Sequence, residues 1–397
     1  MYITLQSWSH LSSVTIHNIP DADILHLANM PSLRRLRLGL RTTPIAVETQ
    51  RLLRHPAFSA LQELSVKCDC FAPLDVFFKT LSITPKILSF TVEVDMDSVR
   101  VLPVSMTHIY NACSQSVLEH LRIRFTEFNH YDDEDNDDND DGDDEDDNDN
   151  DNDNDNDDDD NDDNDRDGGG NRYFGISIDA AAFQPLYAFN NLRKFNFLAD
   201  YNVPLDDTTL FQMARAWPLL EGFAIGGRRR QSTRITANAL SGLLQHCSHL
   251  NKVSVNVDWS AVDKPDVSPD IPYQGPPHNN LSYADFGFSR IRHTAGVAAF
   301  LSAIAPKLKH VTAWVDYDRY DCSDHKYITR WKKVNRLVKT FPAIREHDKR
   351  MMTDAGRVVG GDVRVGAEGP EDDRGMESEL TSLLDQVSLN FKSGDDG

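Results

Sequence analysis

Residues Leu33 to Leu38 read LRRLRL, with apolar side chains at the first, fourth and sixth positions. The fourth and sixth are two residues apart, which is the side-chain period of a strand, so Leu36 and Leu38 share one face while Arg35 and Arg37 share the other. A single phrase of this kind is uninformative in a chain that is 40% apolar. Its recurrence decides the reading. Further copies begin at Leu11 (LSSVTI), Leu61 (LQELSV), Ile87 (ILSFTV), Leu118 (LEHLRI), Leu192 (LRKFNF), Leu220 (LEGFAI), Leu250 (LNKVSV), Leu281 (LSYADF) and Leu308 (LKHVTA, where Ala313 is a poor third anchor). The intervals are 22, 28, 26, 31, 74, 28, 30, 31 and 27 residues. Removing the 36-residue acidic run from the outlier leaves 38, so a roughly constant period continues across an insertion.

Most intervals also carry a helical pattern just ahead of the strand. DADILHLANMPS leads into Leu33, DDTTLFQMARAWP into Leu220 and TANALSGLLQHCSH into Leu250, with Asp206 or Asp207 and Thr236 as N-caps and Pro31 and Pro218 where a helix can stop. A strand with one apolar face and a helix with one apolar stripe cannot bury them separately, but stacked units bury both in one continuous core. The fold expected is an α/β leucine-rich-repeat solenoid, with parallel strands on a concave face and helices on a convex face. An ordinary α/β domain is the competitor. The expected divisions are an N-terminal repeat half (1–131), a disordered acidic insertion (132–172), a C-terminal repeat half with a closing helix in WKKVNRLVKTF (173–345), and a disordered tail (346–397) with a short helix at 378–389. Leu36, Leu64, Leu121, Phe195, Phe223 and Val253 are the expected buried second anchors.

The net charge of -22 belongs to one segment. Asp132 to Asp167 holds 25 acidic residues and one Arg, which leaves 38 acidic against 40 basic residues elsewhere. Five cysteines without a framework spacing, in a chain this long, read as reduced thiols. The opening MYITLQSWSHLSS lacks a basic segment followed by an apolar one, and nowhere do about 18 apolar residues run together. The expectation is a cytoplasmic or nuclear protein with no membrane span.

The phrases MPSLRRLRL, CSHLNKVSV and PKLKHVTAW, within Leu11 to Tyr317, resemble the leucine-rich-repeat portion of fungal F-box proteins. In that family the F-box docks on a Skp-type adaptor of a cullin ubiquitin ligase, and the repeats hold the substrate. The resemblance implies a substrate-recognition role on the concave face. No F-box pattern of the leucine-proline-leucine type is read ahead of Leu11, so an adaptor is expected as partner only if an F-box lies upstream.

On such a face the residues flanking the second and third anchors point away from the core. They include Arg35, Arg37, Lys67, Arg122, Arg124, Lys194 and Lys252 against Glu63, Glu93 and Asp285, a moderately basic balance. Tyr283, His310 and Trp314 add the ring types that anchor protein interfaces. A protein partner is expected there, and no direct nucleic acid. The Asp/Asn run has no apolar residues with which to form a core. It is either a neutral insertion or a lure for basic partners, which would make the chain an acidic nuclear regulator or chaperone.

No catalytic, cofactor or metal site is read. DNDRDG (Asp163, Asp165, Asp167, Gly168) and Asp137, Asn139, Asp141 and Gly142 open like calcium loops, but their twelfth positions hold Phe174 and Asn148 instead of Glu. Cys68 and Cys70 lack zinc-spaced partners. GRVVGGDVRVG (Gly356–Gly366) reads as linker, GGRRRQSTR (Gly226–Arg234) as a basic loop and Lys264–Pro277 as a Pro-rich loop.

Overall fold

The computed structural model describes residues 10–17, 19–40, 45–53, 57–81, 83–94, 98–127, 177–199, 201–226, 234–264, 275–314 and 325–359. The acidic run, both calcium-loop look-alikes, most of the basic and Pro-rich loops and the 378–389 helix lie outside the described residues. The chain divides into two compact units, residues 1–343 and 344–397.

In the first unit, ten strands form one all-parallel sheet in chain order. They are β1 (Ser13–His17), β2 (Arg35–Leu40), β3 (Glu63–Cys68), β4 (Ile87–Val94), β5 (His120–Glu127), β6 (Lys194–Leu198), β7 (Gly222–Gly226), β8 (Lys252–Val255), β9 (Tyr283–Asp285) and β10 (His310–Thr312). Between them run α1 (Asp21–Ala28), α2 (Val47–Leu52), α3 (Phe71–Thr80), α4 (Leu102–Ala112), α5 (Asp207–Ala216), α6 (Ala237–His246) and α7 (Thr294–Ile304). Parallel neighbours need a crossover, and crossovers of one hand between strands laid down in order put every helix on the same side. Side-chain burial agrees: along β2 the even-numbered Leu36, Leu38 and Leu40 are buried and Arg35 and Arg37 are exposed.

One bonding pattern repeats at each step. The carbonyl two residues before a second anchor accepts two successive amides of the next unit. Arg34 O takes Gln62 N at 2.8 Å and Glu63 N at 3.0 Å, and Ser282 O takes Lys309 N at 3.0 Å and His310 N at 3.2 Å. The pattern crosses the acidic insertion unchanged, with Glu119 O taking Arg193 N at 2.7 Å and Lys194 N at 3.0 Å. β5 pairs directly with β6, Leu121 opposite Phe195. A 3₁₀ segment, Ala180–Ala188, takes the helix position there and buries Phe183 and Leu186 completely.

The six expected second anchors are all at most 2% exposed. The fourth copy is displaced by two residues. Glu63 pairs with Ile87 and Leu64 with Leu88, so Leu88 and Phe90 are its anchors, Pro85 takes the leading position, and Ile87 turns to the open face. Asp206 caps α5 by accepting Thr209 N at 2.8 Å, and Thr236 caps α6 through Ala239 N at 3.3 Å. Asp207 instead ties two units together, accepting the amide and hydroxyl of Thr236 at 2.8 and 2.9 Å.

Beyond β10 comes α8 (His325–Val359). The helix therefore continues past the boundary read at residue 345 and through the first residues of the Gly356–Gly366 linker. In the first unit its Tyr327, Trp331, Val334 and Val338 form one buried face. Asn335 accepts the Val311 amide of the edge strand at 3.0 Å, which satisfies a group that would otherwise invite further pairing. In the second unit only the helical residues 344–359 are described. No helix among the described residues is long and apolar enough to cross a membrane.

Candidate functional site: the open face of the sheet

Strand alternation gives the open face three well-filled columns. The first runs Ser13, Arg35, Glu63, Ile87, His120, Lys194, Gly222, Lys252, Tyr283, His310. The second runs Thr15, Arg37, Ser65, Ser89, Arg122, Asn196, Ala224, Ser254, Asp285, Thr312. The third includes Lys67, Thr91, Arg124, Leu198 and Gly226. Eleven of the thirteen residues read from the sequence as face contributors belong to these columns, and Glu93 follows on the same face of β4, one position beyond the third. Arg35, Arg122, Arg124, Lys194, Lys252 and His310 are exposed, and Tyr283 is half-buried, its hydroxyl 3.0 Å from Thr312 Oγ1.

Trp314 is the exception. Continued alternation from Val311 would turn it outward, but a φ of 59° breaks the extended backbone there and the ring is buried. Only 2% exposed, it stacks on Tyr327 at 4.9 Å and donates to Ser289 O at 2.9 Å. Trp331 donates to the same carbonyl at 2.8 Å and stacks on Phe286 at 5.3 Å. Trp314 thus belongs to the closing core and not to the face.

Charge on the face is unevenly compensated. Glu63 lies 3.6 Å from Arg37 and Glu93 2.8 Å from Lys67, diagonal pairs between neighbouring strands. The Glu93 carboxylate, bonded to Lys67, raises that ammonium's pKa. Both acids of the β2–β4 region are therefore occupied by local cations. On β9, burial pushes the Asp285 carboxyl above its ordinary value, while Gly287 N and Ser254 Oγ donate to it at 3.0 and 3.1 Å.

Between these regions the face is different. The outward residues of β5 to β8, counted from His120 to Thr126 on the first of them, contain no acid. Arg122, Arg124, Lys194 and Lys252 make no ion pair among the described residues. Burial, then the Lys194 charge, lowers the pKa of His120, so this ring stays neutral at physiological pH. On β7 the outward residues are Gly222, Ala224 and Gly226, and the Lys194 stem lies 3.5 Å from where a Gly222 side chain would begin. Sequence reading summed the charges correctly but missed their separation, because diagonal pairing depends on strand register.

The remaining chemistry on the described surface is sparse. No group of three or more His, Cys, Asp or Glu suited to a metal occurs among the described residues. A depression of about 530 Å³ near the end of α4 is lined by Ile83, Tyr110, Gln115 and Cys113. Burial raises the Cys113 thiol to about 12, which leaves it protonated and a poor nucleophile. No protein-family model matches the chain, and comparison with curated proteins finds no significant match.

Proposed function

We propose that the chain is a non-enzymatic, protein-binding scaffold of the leucine-rich-repeat type, whose open sheet face holds a partner bearing acidic side chains. The observation that carries this is the division of the sheet: one face packed on helices, the other spanning ten strands with unpaired cations on β5, β6 and β8. A face ten strands wide with exposed charges suits partner recognition, where electrostatic complementarity sets specificity and association rate. The likeness of the repeat phrases to fungal F-box proteins extends the reading to a substrate receptor of a cullin ubiquitin ligase.

Affinity capture from cell extract tests it, comparing the full chain with an Arg122→Glu/Lys194→Glu variant of unchanged circular dichroism. Proteins held by the full chain and lost with the variant support the scaffold reading. Recovery of a Skp-type adaptor and a cullin with both forms supports the ligase assignment. A set consisting only of histones or ribosomal proteins, unaffected by the variant and lost on deleting Asp132–Asp167, overturns both in favour of the acidic-tract reading.

A further inference from the structure

Between Phe286 and Ala343 the sequence holds eleven Lys or Arg and four Asp, and all four Asp fall in 315–324, outside the described residues. The described stretches on either side, 286–314 and 325–343, hold ten of those cations and no acid. We infer that the end of the sheet closed by α8 binds the phosphate backbone of duplex DNA without regard to base sequence, chiefly through Lys332, Lys333, Arg336 and Lys339.

The closing helix has two opposite faces in this unit. Tyr327, Trp331, Val334 and Val338 are buried on the inner one, which leaves Lys332, Lys333, Arg336 and Lys339 exposed on the outer one. Residues three and four apart share a helix face, and Lys332 to Lys339 covers about 10 Å along the axis. Phosphates follow one another at about 3.4 Å of rise on a strand, so the row meets about three of them. Tyr327 stacks on Trp314 and Asn335 accepts the Val311 amide, so the helix runs back along the edge strand toward the exposed Lys309 and Lys307. None of these six cations has an ion pair among the described residues.

The chemistry of the outer face selects among polyanions. Its exposed positions carry no apolar side chain, because the apolar residues of α8 are turned to the core. It therefore has nothing to sink into a membrane interface, where surface helices bury an apolar face. The same positions carry no Tyr, Trp or Phe, so the stacking that holds single strands is missing from them. What remains is closely spaced positive charge, which suffices for a duplex backbone, where neutralised phosphates release their counter-ions. At physiological salt the screening length is about 8 Å. A ligand at this end thus responds to the nearby cations more than to the net charge of -22. The inference departs from the sequence expectation of no direct nucleic acid. Outside 132–167 the 40 basic and 38 acidic residues nearly balance, and only the fold brings these cations onto one surface. That surface is not the open face, and the inference does not rest on the partner reading given above.

Fluorescence anisotropy of a labelled duplex DNA of mixed sequence, titrated with the full chain over a range of salt, tests it. Affinity is expected to fall as salt rises, and the logarithmic salt slope to shrink by about 1 for each phosphate-contacting cation removed. Lys332→Gln/Arg336→Gln/Lys339→Gln is therefore expected to lower the slope by about 3 and weaken binding on the order of tenfold or more. Arg35→Gln/Arg122→Gln/Lys194→Gln removes the same charge from the open face, whose cations are likewise exposed and unpaired. It is expected to leave the slope unchanged. Both variants are compared at unchanged circular dichroism. Acetylation of the parent chain gives a second reading that needs no variant. Duplex DNA is expected to protect Lys332, Lys333 and Lys339 while the exposed Lys79 and Lys252 react as before. Equal losses in the two variants, protection spread evenly over all lysines, or no salt-dependent binding overturns the inference. Vesicles of phosphatidylserine and phosphatidylcholine held through the same lysines, with the duplex unbound, would overturn it in favour of a membrane surface.

Discussion

Replacing Phe195 with Ala, beside a control at the adjacent Lys194, tests whether the sheet is buried on one face only. Phe195 is 1% exposed, with its ring centroid 4.8 Å from Trp217 and 6.0 Å from both Phe183 and Phe223. Burying such a side chain contributes about 1.5–3 kcal/mol, and each well-placed ring pair adds about 0.5–1.5 kcal/mol. Truncation to Ala is therefore expected to cost about 3–5 kcal/mol, the range for large aromatic deletions in a core. Lys194, one residue earlier and exposed, is expected to change stability by no more than about 0.5 kcal/mol when replaced by Ala. The assay is urea unfolding followed by circular dichroism. Because stacked units contact chiefly their neighbours, the Phe195→Ala variant is also expected to show a broadened or split transition. A cost below about 1 kcal/mol for Phe195→Ala, or equal costs for the two variants, would refute the assigned facing of β6.

Three further outcomes follow from particular contacts. His278 is held neutral, with Nε2 3.1 Å from Cys247 O, Nδ1 accepting Leu281 N at 3.1 Å, and a pKa lowered mainly by burial. A depressed folded-state value means that the unfolded chain binds the proton first. The stability contributed by this ring is present above the ordinary imidazole pKa and is lost as pH falls through the folded value, so urea midpoints at pH 7 and pH 5 should differ more for the parent chain than for His278→Gln. Trp331→Phe retains an aromatic ring against Phe286 but removes the indole N–H that Ser289 O accepts at 2.8 Å. A loss of about 0.5–1.5 kcal/mol is expected, since Trp314 still serves that carbonyl, and a loss above about 3 kcal/mol in chemical denaturation would show that shape and not the bond dominates. Deleting Asp132–Asp167 is expected to leave the melting temperature similar or higher, because a segment without apolar residues brings little burial and loop length costs entropy slowly. A large drop in calorimetry would show that the segment packs into the core.

Much of the architecture was legible in the sequence because its signals are local. Alternation over three residues is enough to turn Leu36 and Phe195 inward, and the Asp206 and Thr236 side chains cap helices within three positions of themselves. The period between copies exposed the insertion, and the bonds from Glu119 to Arg193 and Lys194 show the pattern resuming beyond it. What the sequence left undetermined depends on residues brought from other units. Ile87, Leu88 and Phe90 are all apolar, and a shift by two residues preserves the facing of a strand, so only pairing with Glu63 and Leu64 identifies Ile87 as a face residue. A positive φ at Trp314 ended an alternation that its neighbours suggested would continue. The charge count of the open face was readable from residue identities, but its usable part was not. Glu63 meets Arg37 and Glu93 meets Lys67 across strand boundaries more than twenty residues apart in the chain. Facing is a property of one strand's pleat and can be read locally, whereas which charges remain unpaired is decided by the register between strands, which exists only once the sheet has formed.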